Sequence, residues 1–252
     1  MKPFLPNESD AIVEGFLAES SLPVSGCEQC PYLPEQMASS EGFFVDTEME
    51  ADIYRAFMDR GFRRSGRVFY RPACEACESC IPMRIPVAKF DPSKSMRRIW
   101  RKNCDVAVVE GDGKPNQAKY DLFVRYLEGQ HDDTMSRERD SFNDFLYGSP
   151  VPAKELCYKL GERLIGVSIA DDLPNAYSSV YMYFDPDESD RSLGTFSVMA
   201  EIEHCRREAI DYYYLGYYVP GSKTMSYKAR FAPAEILNRE GEWVAFNRNE
   251  YE

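Results

Sequence analysis

Apolar and polar positions alternate most regularly in the second half of the chain, where the pattern predicts strands and one long helix. The predicted strands are 155–160, 163–169, 176–184 and 212–219. Between 194 and 209, apolar residues recur at helical spacing, at Phe196, Met199, Ile202 and Cys205. The predicted order in this half is therefore three strands, a helix and a fourth strand.

The first half of the chain has a weaker pattern, which still predicts several elements. They are a helix over 48–60 ended by Gly61, a hairpin over 62–70, a strand over 81–90, a basic helix over 93–103, a strand over 106–109 and helices over 116–128 and 141–147. Pro82 and Pro86 cannot donate backbone hydrogen bonds, so the strand containing them is predicted at a sheet edge. Charge balance and periodicity both change near 102–106, which predicts two units, 1–104 and 105–252.

The order of elements in 155–219 resembles the core of the N-acetyltransferase-like (GNAT) fold. In that fold, amides at the start of the helix hold the pyrophosphate of coenzyme A. Arg191 and Gly194 fit the loop that this requires, whereas Phe196 replaces its small residue. The resemblance implies an α/β (α+β) protein in which a cysteine-bearing N-terminal module packs on a GNAT-like acyltransferase domain. It also favours an acyl carrier other than coenzyme A.

Charge is distributed unevenly along the 252 residues, whose net charge is −12. Residues 55–102 hold 13 Lys and Arg but four acids, a local charge of +9, and the remainder carries −21. A local cationic field attracts polyanions whatever the total charge, so RNA is the predicted partner; a solvated basic face is the alternative. The sequence has no apolar leader and no apolar run of membrane-spanning length, which predicts a cytosolic protein without a membrane partner.

Five of the eight cysteines form two clusters, Cys27-x-x-Cys30 and Cys74-x-x-Cys77-x-x-Cys80. Two-residue gaps bring thiolates within reach of one ion, and disulfides are not expected in the cytosol. The spacing leaves three interpretations open: a structural zinc ion, an iron–sulfur cluster, or free regulatory thiols. Cys104, Cys157 and Cys205 stand alone and are predicted to be buried structural thiols.

Six strings along the chain together resemble one family, the bacterial branch of the arginyl-tRNA–protein transferases, known as aspartate/glutamate leucyltransferases. They are CPYLP from Cys30, GFRRSG from Gly61, YRPACEACESCIPMR from Tyr70, SLGT from Ser192, YLGY from Tyr214 and MSYKARF from Met225. The resemblance runs from about residue 27 to residue 240. It implies that Cys27 is the weakest of the five candidate metal ligands, because the family often has a single cysteine, matching Cys30, in the first cluster.

The resemblance implies transfer of leucine from Leu-tRNA to the α-amine of proteins that begin with Asp or Glu, which creates a degradation signal (N-degron). No cofactor is expected for the transfer, and DNA is not an expected partner. Three alternatives remain: arginyl transfer from Arg-tRNA, a coenzyme A acetyltransferase, and a non-catalytic zinc-type RNA-binding protein.

Candidate site residues follow from this chemistry and fall into three groups. The catalytic candidates are His131, Asp171, Thr195 and Tyr217. The acidic N-terminus of the acceptor needs cations, and the candidates are Arg63 and Arg64, then Lys228 and Arg230. The alternative is that both pairs contact tRNA phosphates. The tRNA-binding candidates are Arg84, Arg97, Arg98, Arg101 and Lys102. His204 is predicted to be structural.

Overall fold

A computed structural model describes residues 8–130 and 135–251, which form a mixed α/β structure. The helices are α1 Glu8–Glu19, α2 Ala51–Asp59, α3 Lys94–Lys102, α4 Gln117–Gln130, α5 Arg139–Leu146 and α6 Leu193–Arg207. The strands are β1 Glu28–Gln29, β2 Met37–Ala38, β3 Ser40–Phe44, β4 Arg63–Ser65, β5 Val68–Pro72, β6 Ile81–Pro86, β7 Val106–Glu110, β8 Ala153–Leu160, β9 Arg163–Leu173, β10 Ala176–Phe184, β11 Tyr212–Tyr218, β12 Glu235–Leu237 and β13 Trp243–Ala245. The predicted α/β class is confirmed.

One eight-stranded sheet organises the molecule, in the order β13-β12-β6-β11-β10-β9-β8-β7. β8, β9 and β10 pair antiparallel, and α6 then crosses over so that β11 lies parallel to β10. The predicted order of three strands, a helix and a strand is therefore confirmed. A three-stranded sheet, β3-β5-β4, and the short pair β1-β2 lie outside the large sheet.

The parallel pair β10–β11 is joined only at its beginning. Ala176–Ser178 pair with Tyr212–Tyr214, and beyond them β10 pairs only with β9 while β11 pairs only with β6. The two strands therefore separate towards their carboxyl ends. We call this gap the wedge; its sides are 179–184 of β10 and 215–218 of β11.

Helices cover both faces of the large sheet. On one face, apolar residues of α3 and α6, among them Met96, Phe196 and Ile202, pack in one cluster with Tyr158 and Tyr213 of the sheet. On the other face, α4 and α5 pack on β8 to β10. A third cluster joins α1, α2 and the three-stranded sheet to Leu173 and Tyr214 of the large sheet. We call α1, α2 and the three-stranded sheet the α1–α2 module. It therefore packs against the end of the wedge where β10 and β11 are hydrogen-bonded to each other.

The strand β6 corrects the prediction of an edge position. β6 lies between β12 and β11, inside the sheet. In β6, only Met83 and Arg84 pair with β12, so Pro82 and Pro86 lie outside that ladder and their missing donors do not weaken it. The large sheet contains β6, which precedes residue 104, together with strands that follow residue 105. The predicted division at 104/105 therefore does not separate one sheet from another. The pattern also gave no prediction for α1, β12 or β13.

Among the described residues, no helix combines the length and the apolar character needed to span a bilayer.

Candidate functional site

The open end of the wedge brings together segments that are far apart in sequence. Because β10 and β11 are parallel, their carboxyl ends lie at the same edge of the sheet. α6 begins shortly after the end of β10, so Thr195 in its first turn lies towards that edge. Tyr217 near the end of β11, and the 3₁₀ turn Ser226–Arg230 that follows, reach the same edge. Ligands of open α/β sheets commonly bind at such a position.

Two buried cationic side chains lie together beside this edge, Arg63 of β4 and Lys228 of the 3₁₀ turn, each 6% exposed. We call their surroundings the Arg63–Lys228 pocket. The Arg63 guanidinium lies 5.4 Å from the ring centroid of Tyr214 and 5.6 Å from that of Tyr217. Its Nη1 donates to the Phe62 carbonyl, but its Nε and Nη2 have no hydrogen-bond partner among the described residues. Buried donors are normally paired, so these two mark a place for an acceptor from outside the chain.

Lys228 is held in the pocket by the backbone of β11. Its Nζ donates to the Tyr217 carbonyl at 2.9 Å. Gly216 leaves room for the lysine, because a Cβ at this position would lie 3.2 Å from Nζ. Its φ of +88° is also a conformation that favours glycine. Burial, with the nearby charge of Arg63, lowers the pKa of Lys228 to about 7. Among the described residues, no carboxylate forms an ion pair with either cation, so an incoming anion would relieve their repulsion.

Arg64, the next residue of β4, has the opposite environment. Its Nε and Nη2 donate to Oδ1 of Asp171 at 2.8 and 2.5 Å, and neither side chain has any solvent exposure. This pair joins the three-stranded sheet to β9 across the module interface. The positive charge of Arg64 and the negative charge of Asp171 are thus committed to each other, and neither faces an open site.

The other predicted site residues are distributed as follows. Tyr217 is 5% exposed and donates to the Gly61 carbonyl at 2.7 Å, so it lines the pocket with its hydroxyl already paired. Thr195 is half-buried, and Arg230 is exposed. His131 lies outside the described residues. His204 is 4% exposed against the ring of Tyr177, and burial lowers its pKa, which agrees with the predicted structural role.

Glu201 of α6 is a titratable group that the sequence patterns did not single out. It is 1% exposed, and one carboxylate oxygen accepts a 2.5 Å hydrogen bond from Tyr213. Burial raises its pKa to about 7, against the hydrogen bonds that favour ionisation. A single charged residue on the apolar stripe of a predicted helix was the available signal.

The predicted tRNA-binding cations divide into one buried arginine and one exposed helix face. Arg84 is 9% exposed, binds Asp59 and Glu235, and stacks 4.0 Å from the ring centroid of Tyr212, so its charge is neutralised inside the sheet. The others lie on α3, which has no acidic residue and carries Lys94, Arg97, Arg98, Arg101 and Lys102. Arg97 pairs with the exposed Asp91, and Lys102 donates to the Asp190 carbonyl. Phosphates can therefore reach α3 but not Arg84.

The cysteine clusters meet beside the pocket. Burial and the neighbouring Cys30, Cys74 and Cys77 raise the pKa of the Cys80 thiol to about 12. Cys30, Cys74 and Cys77 are therefore close enough to Cys80 to interact with it electrostatically, and thiolates are the ligands that structural zinc ions and iron–sulfur clusters use. In the described part of the chain, however, no three Cys, His, Asp or Glu side chains surround one point as metal ligands. Cys157 and Cys205 are buried as predicted, but Cys104 is exposed, so the prediction of a buried thiol is wrong for that residue; Cys27 is also exposed.

Comparison with known proteins gives matches along most of the chain. The family description "Arginine-tRNA-protein transferase, N terminus" matches residues 28–98, and "Arginine-tRNA-protein transferase, C terminus" matches 118–238. The aspartate/glutamate leucyltransferase of Pseudomonas fluorescens (strain Pf0-1) is 36% identical over 220 residues, which are 86% of this chain and 93% of the relative. The protein of the same name from Saccharophagus degradans is 38% identical over 222 residues, with the same coverage.

Among solved structures, FemX matches with a TM-score of 0.47 and 11% identity over 89% of this chain and 75% of that one. This likeness is too weak to inform the function.

Proposed function

The chain belongs to the arginine-tRNA-protein transferase family, and from this premise we propose that it transfers leucine from Leu-tRNA to the α-amine of proteins beginning with Asp or Glu. The Arg63–Lys228 pocket is the observation that carries the proposal. Two buried cations without a carboxylate partner in the described chain suit a carboxylate supplied by the substrate. Arg63 offers two free donors on one guanidinium, the arrangement that binds a carboxylate with two hydrogen bonds.

The reaction needs little from the protein beyond alignment and charge stabilisation. The neutral α-amine attacks the ester carbonyl, an amide C–N bond forms, and the C–O bond to the tRNA ribose breaks as that oxygen takes a proton. The α-amine at a peptide N-terminus has a pKa of about 7.7–8.0, so a useful fraction is neutral near pH 7 without a dedicated base. Binding the acceptor's side-chain carboxylate between Arg63 and Lys228 fixes the position of the adjacent amine.

The wedge is the proposed site of the ester. The side chain of Thr195 and the amides of Leu193 and Gly194 lie at its open edge, where hydrogen-bond donors can stabilise the developing oxyanion; the amides of Thr195 and Phe196 already donate to the Ser192 carbonyl. The predicted catalytic role of Thr195 is kept on this ground. Tyr217 is assigned to the wall of the pocket. Asp171 and Arg64 are assigned to the buried ion pair, and Arg84 to the sheet.

The environments of four acids, Asp171, Glu201, Glu203 and Asp211, support leucine over arginine as the transferred residue. An arginine side chain would need an unpaired carboxylate in its pocket. Asp171 is neutralised by Arg64, and Glu201 is enclosed beside Tyr213. Glu203 pairs with Arg206 outside the wedge, and Asp211 is exposed and bound to Asn175.

A transfer assay tests the proposal, with radiolabelled Leu-tRNA and, separately, Arg-tRNA as donors. The acceptors are matched peptides that begin with Asp, Glu, Arg or Ala. We expect label to move from Leu-tRNA onto the Asp and Glu peptides only. Movement from Arg-tRNA instead would keep the reaction class and change the donor. Binding of tRNA without any transfer would replace the enzyme by the non-catalytic RNA-binding alternative.

The coenzyme A alternative is tested by direct binding of coenzyme A. Phe196, in the first turn of α6, is 3% exposed and packs between Trp100 and Tyr158. This bulk occupies the turn where the acetyltransferase loop requires a small residue, and we expect no binding.

The metal prediction carries over as a proposal: Cys30, Cys74, Cys77 and Cys80 hold a structural zinc ion or an iron–sulfur cluster, and Cys27, which is exposed, is the weakest candidate ligand. Such a site would tie the loop before β2 to the loop before β6, beside the acceptor pocket. Metal analysis and the visible absorption spectrum of protein purified without oxygen distinguish zinc, iron and free thiols. The cytosolic location stays a prediction.

A further inference from the structure

Trp100 of α3 is an exposed aromatic residue in a strongly cationic setting. Its side chain is 40% exposed, and it is held from beneath by Phe196, whose ring centroid lies 5.2 Å away. It also borders two adjoining cavities between α3 and α6, of about 460 and 500 Å³. The indole therefore lies between the two cavities, and each of them is large enough to hold a flat ring.

Charge identifies the occupant of these grooves. Arg97 and Arg101 line the first cavity with Arg206, Arg207 lines the second, and Glu203, which pairs with Arg206, borders both. Arg98, Arg101, Lys102 and Arg207 form no ion pair with any residue that the structure describes. An apolar ring platform bordered by unpaired cations matches a single-stranded nucleic acid, whose bases stack while its phosphates are neutralised. An acidic protein partner would satisfy the cations but leave a rigid indole without a matching flat group.

The platform is also close to the proposed site of the ester. Phe196, on which Trp100 packs, lies in the first turn of α6 beside Thr195. The end of α3 is fastened to the loop that precedes α6, because Lys102 donates to the Asp190 carbonyl and Asn103 to the Arg191 carbonyl. A single-stranded RNA bound across Trp100 would therefore lie close to the start of α6 and the open edge of the wedge.

We propose that Trp100 is a stacking platform for an unpaired base at the 3′ end of the aminoacyl-tRNA, and that the cations of α3 hold the adjoining phosphates. The inference rests on the proposed function only in naming aminoacyl-tRNA as the donor. It assigns to one side chain the positioning of the nucleotides next to the ester.

The test measures binding of a single-stranded RNA that ends in CCA, and of deacylated tRNA, to the full chain. Trp100→Leu keeps an apolar contact with Phe196 but removes the stacking ring, and Trp100→Phe keeps a ring. We expect the Leu variant to bind both RNAs roughly 10-fold more weakly, and the Phe variant to bind close to the original affinity. Phe44→Leu is the matched control, since Phe44 is 66% exposed on β3, and its affinity should not change.

Indole fluorescence gives a second measurement that does not depend on the stability of the Leu variant. The chain has two tryptophans, and Trp243 is fixed under Arg84 with its Nε1 bonded to the Asp59 carbonyl. Bound RNA should therefore quench the fluorescence of the original chain and leave that of Trp100→Phe unchanged. Equal affinity and equal quenching in the original chain and both variants would overturn the inference, as would a lack of RNA binding by the original chain.

The two possible failures are distinguishable. Quenching and weaker binding in Trp100→Leu, without transfer by the original chain, would sustain the platform and remove the proposed reaction. Transfer by the original chain, with the same KM for Leu-tRNA in Trp100→Leu, would sustain the reaction and remove the platform.

Discussion

Arg63 and Arg64 are neighbours on the short strand β4, and each is 6% exposed, yet their charges are treated in opposite ways. Successive residues of a strand point to opposite sides, so Arg64 meets Asp171 while Arg63 meets Lys228 and two tyrosine rings. A buried cation without a counter-charge is costly, and the fold keeps it next to a second cation. The charge of Arg64 therefore stabilises the contact between two modules, whereas the charge of Arg63 is available to a substrate.

The largest predicted effect comes from breaking the Arg64–Asp171 ion pair. Arg64→Met leaves Asp171 buried and uncompensated, which should lower the free energy of unfolding by about 3–5 kcal/mol. Adding Asp171→Leu removes the stranded carboxylate and should restore most of the loss. Chemical denaturation measures both. Arg97→Met, which removes an ion pair that is 54% and 84% exposed, is the control and should cost under about 1 kcal/mol. A double variant as unstable as the single one would contradict the account.

Glu201 extends the comparison to a buried carboxylate that accepts from a hydroxyl group and has no cationic partner among the described residues. Its pKa in the folded protein is raised from 4.5 to about 7. The folded state therefore holds its proton where the unfolded chain has released it. The stabilising contribution is complete below pH 4.5 and is lost as the pH rises through about 7. Converted by linkage, the loss is about 3 kcal/mol, and Glu201→Gln should remove it.

Unfolding free energies between pH 4.5 and 7.5 test this expectation, since the original chain and Glu201→Gln should diverge as the pH rises. Glu203→Gln, two residues along the same helix and 46% exposed, should follow the original chain throughout. Parallel curves for the original chain and Glu201→Gln would show that the carboxylate ionises normally in the fold.

Changing Arg63 addresses the unpaired side. Arg63→Gln should lower kcat/KM for Asp and Glu acceptors roughly 100-fold, because a buried charged hydrogen bond to the substrate is lost. Its stability should be unchanged or higher, since no internal ion pair is broken and a buried charge is removed. Transfer kinetics and denaturation on the same samples measure the two effects separately. An Arg63→Gln variant as unstable as Arg64→Met would place Arg63 among the structural charges.

The sequence predicted much of the fold because the relevant patterns are local. The strands of the wedge and α6 follow from alternation and helical spacing within each segment. The fates of the arginines depend on partners far along the chain. Arg64 is paired by a residue 107 positions away, and Arg84 by Glu235, 151 positions away. No local pattern contains that information, so GFRRSG yields two candidate cations and cannot say which is free.

The same limitation explains β6 and Trp100. The two prolines predicted an edge strand, and this was wrong because β12, which pairs with the residues between them, comes from the last segment of the chain. Trp100 was one more apolar residue in a basic stretch until its contact with Phe196, 96 residues away, fixed it at the start of α6.

The smallest predicted effects concern the exposed cations of α3 and complete the comparison. Because these cations are exposed to water, each contributes to the affinity for RNA through long-range attraction and counterion release. No single one of them should dominate the affinity. Arg98→Ala and Arg101→Ala should each reduce the slope of log affinity for tRNA against log salt by about 0.7–0.9 if the side chain contacts a phosphate. Unfolding free energies should change by no more than about 0.5 kcal/mol. Arg63→Gln should leave the salt slope unaltered, because Arg63 is proposed to bind the acceptor's carboxylate and not a phosphate of the RNA. A slope that falls in Arg63→Gln and not in the α3 variants would exchange the two roles, and would identify the buried pocket as the place where the RNA backbone binds.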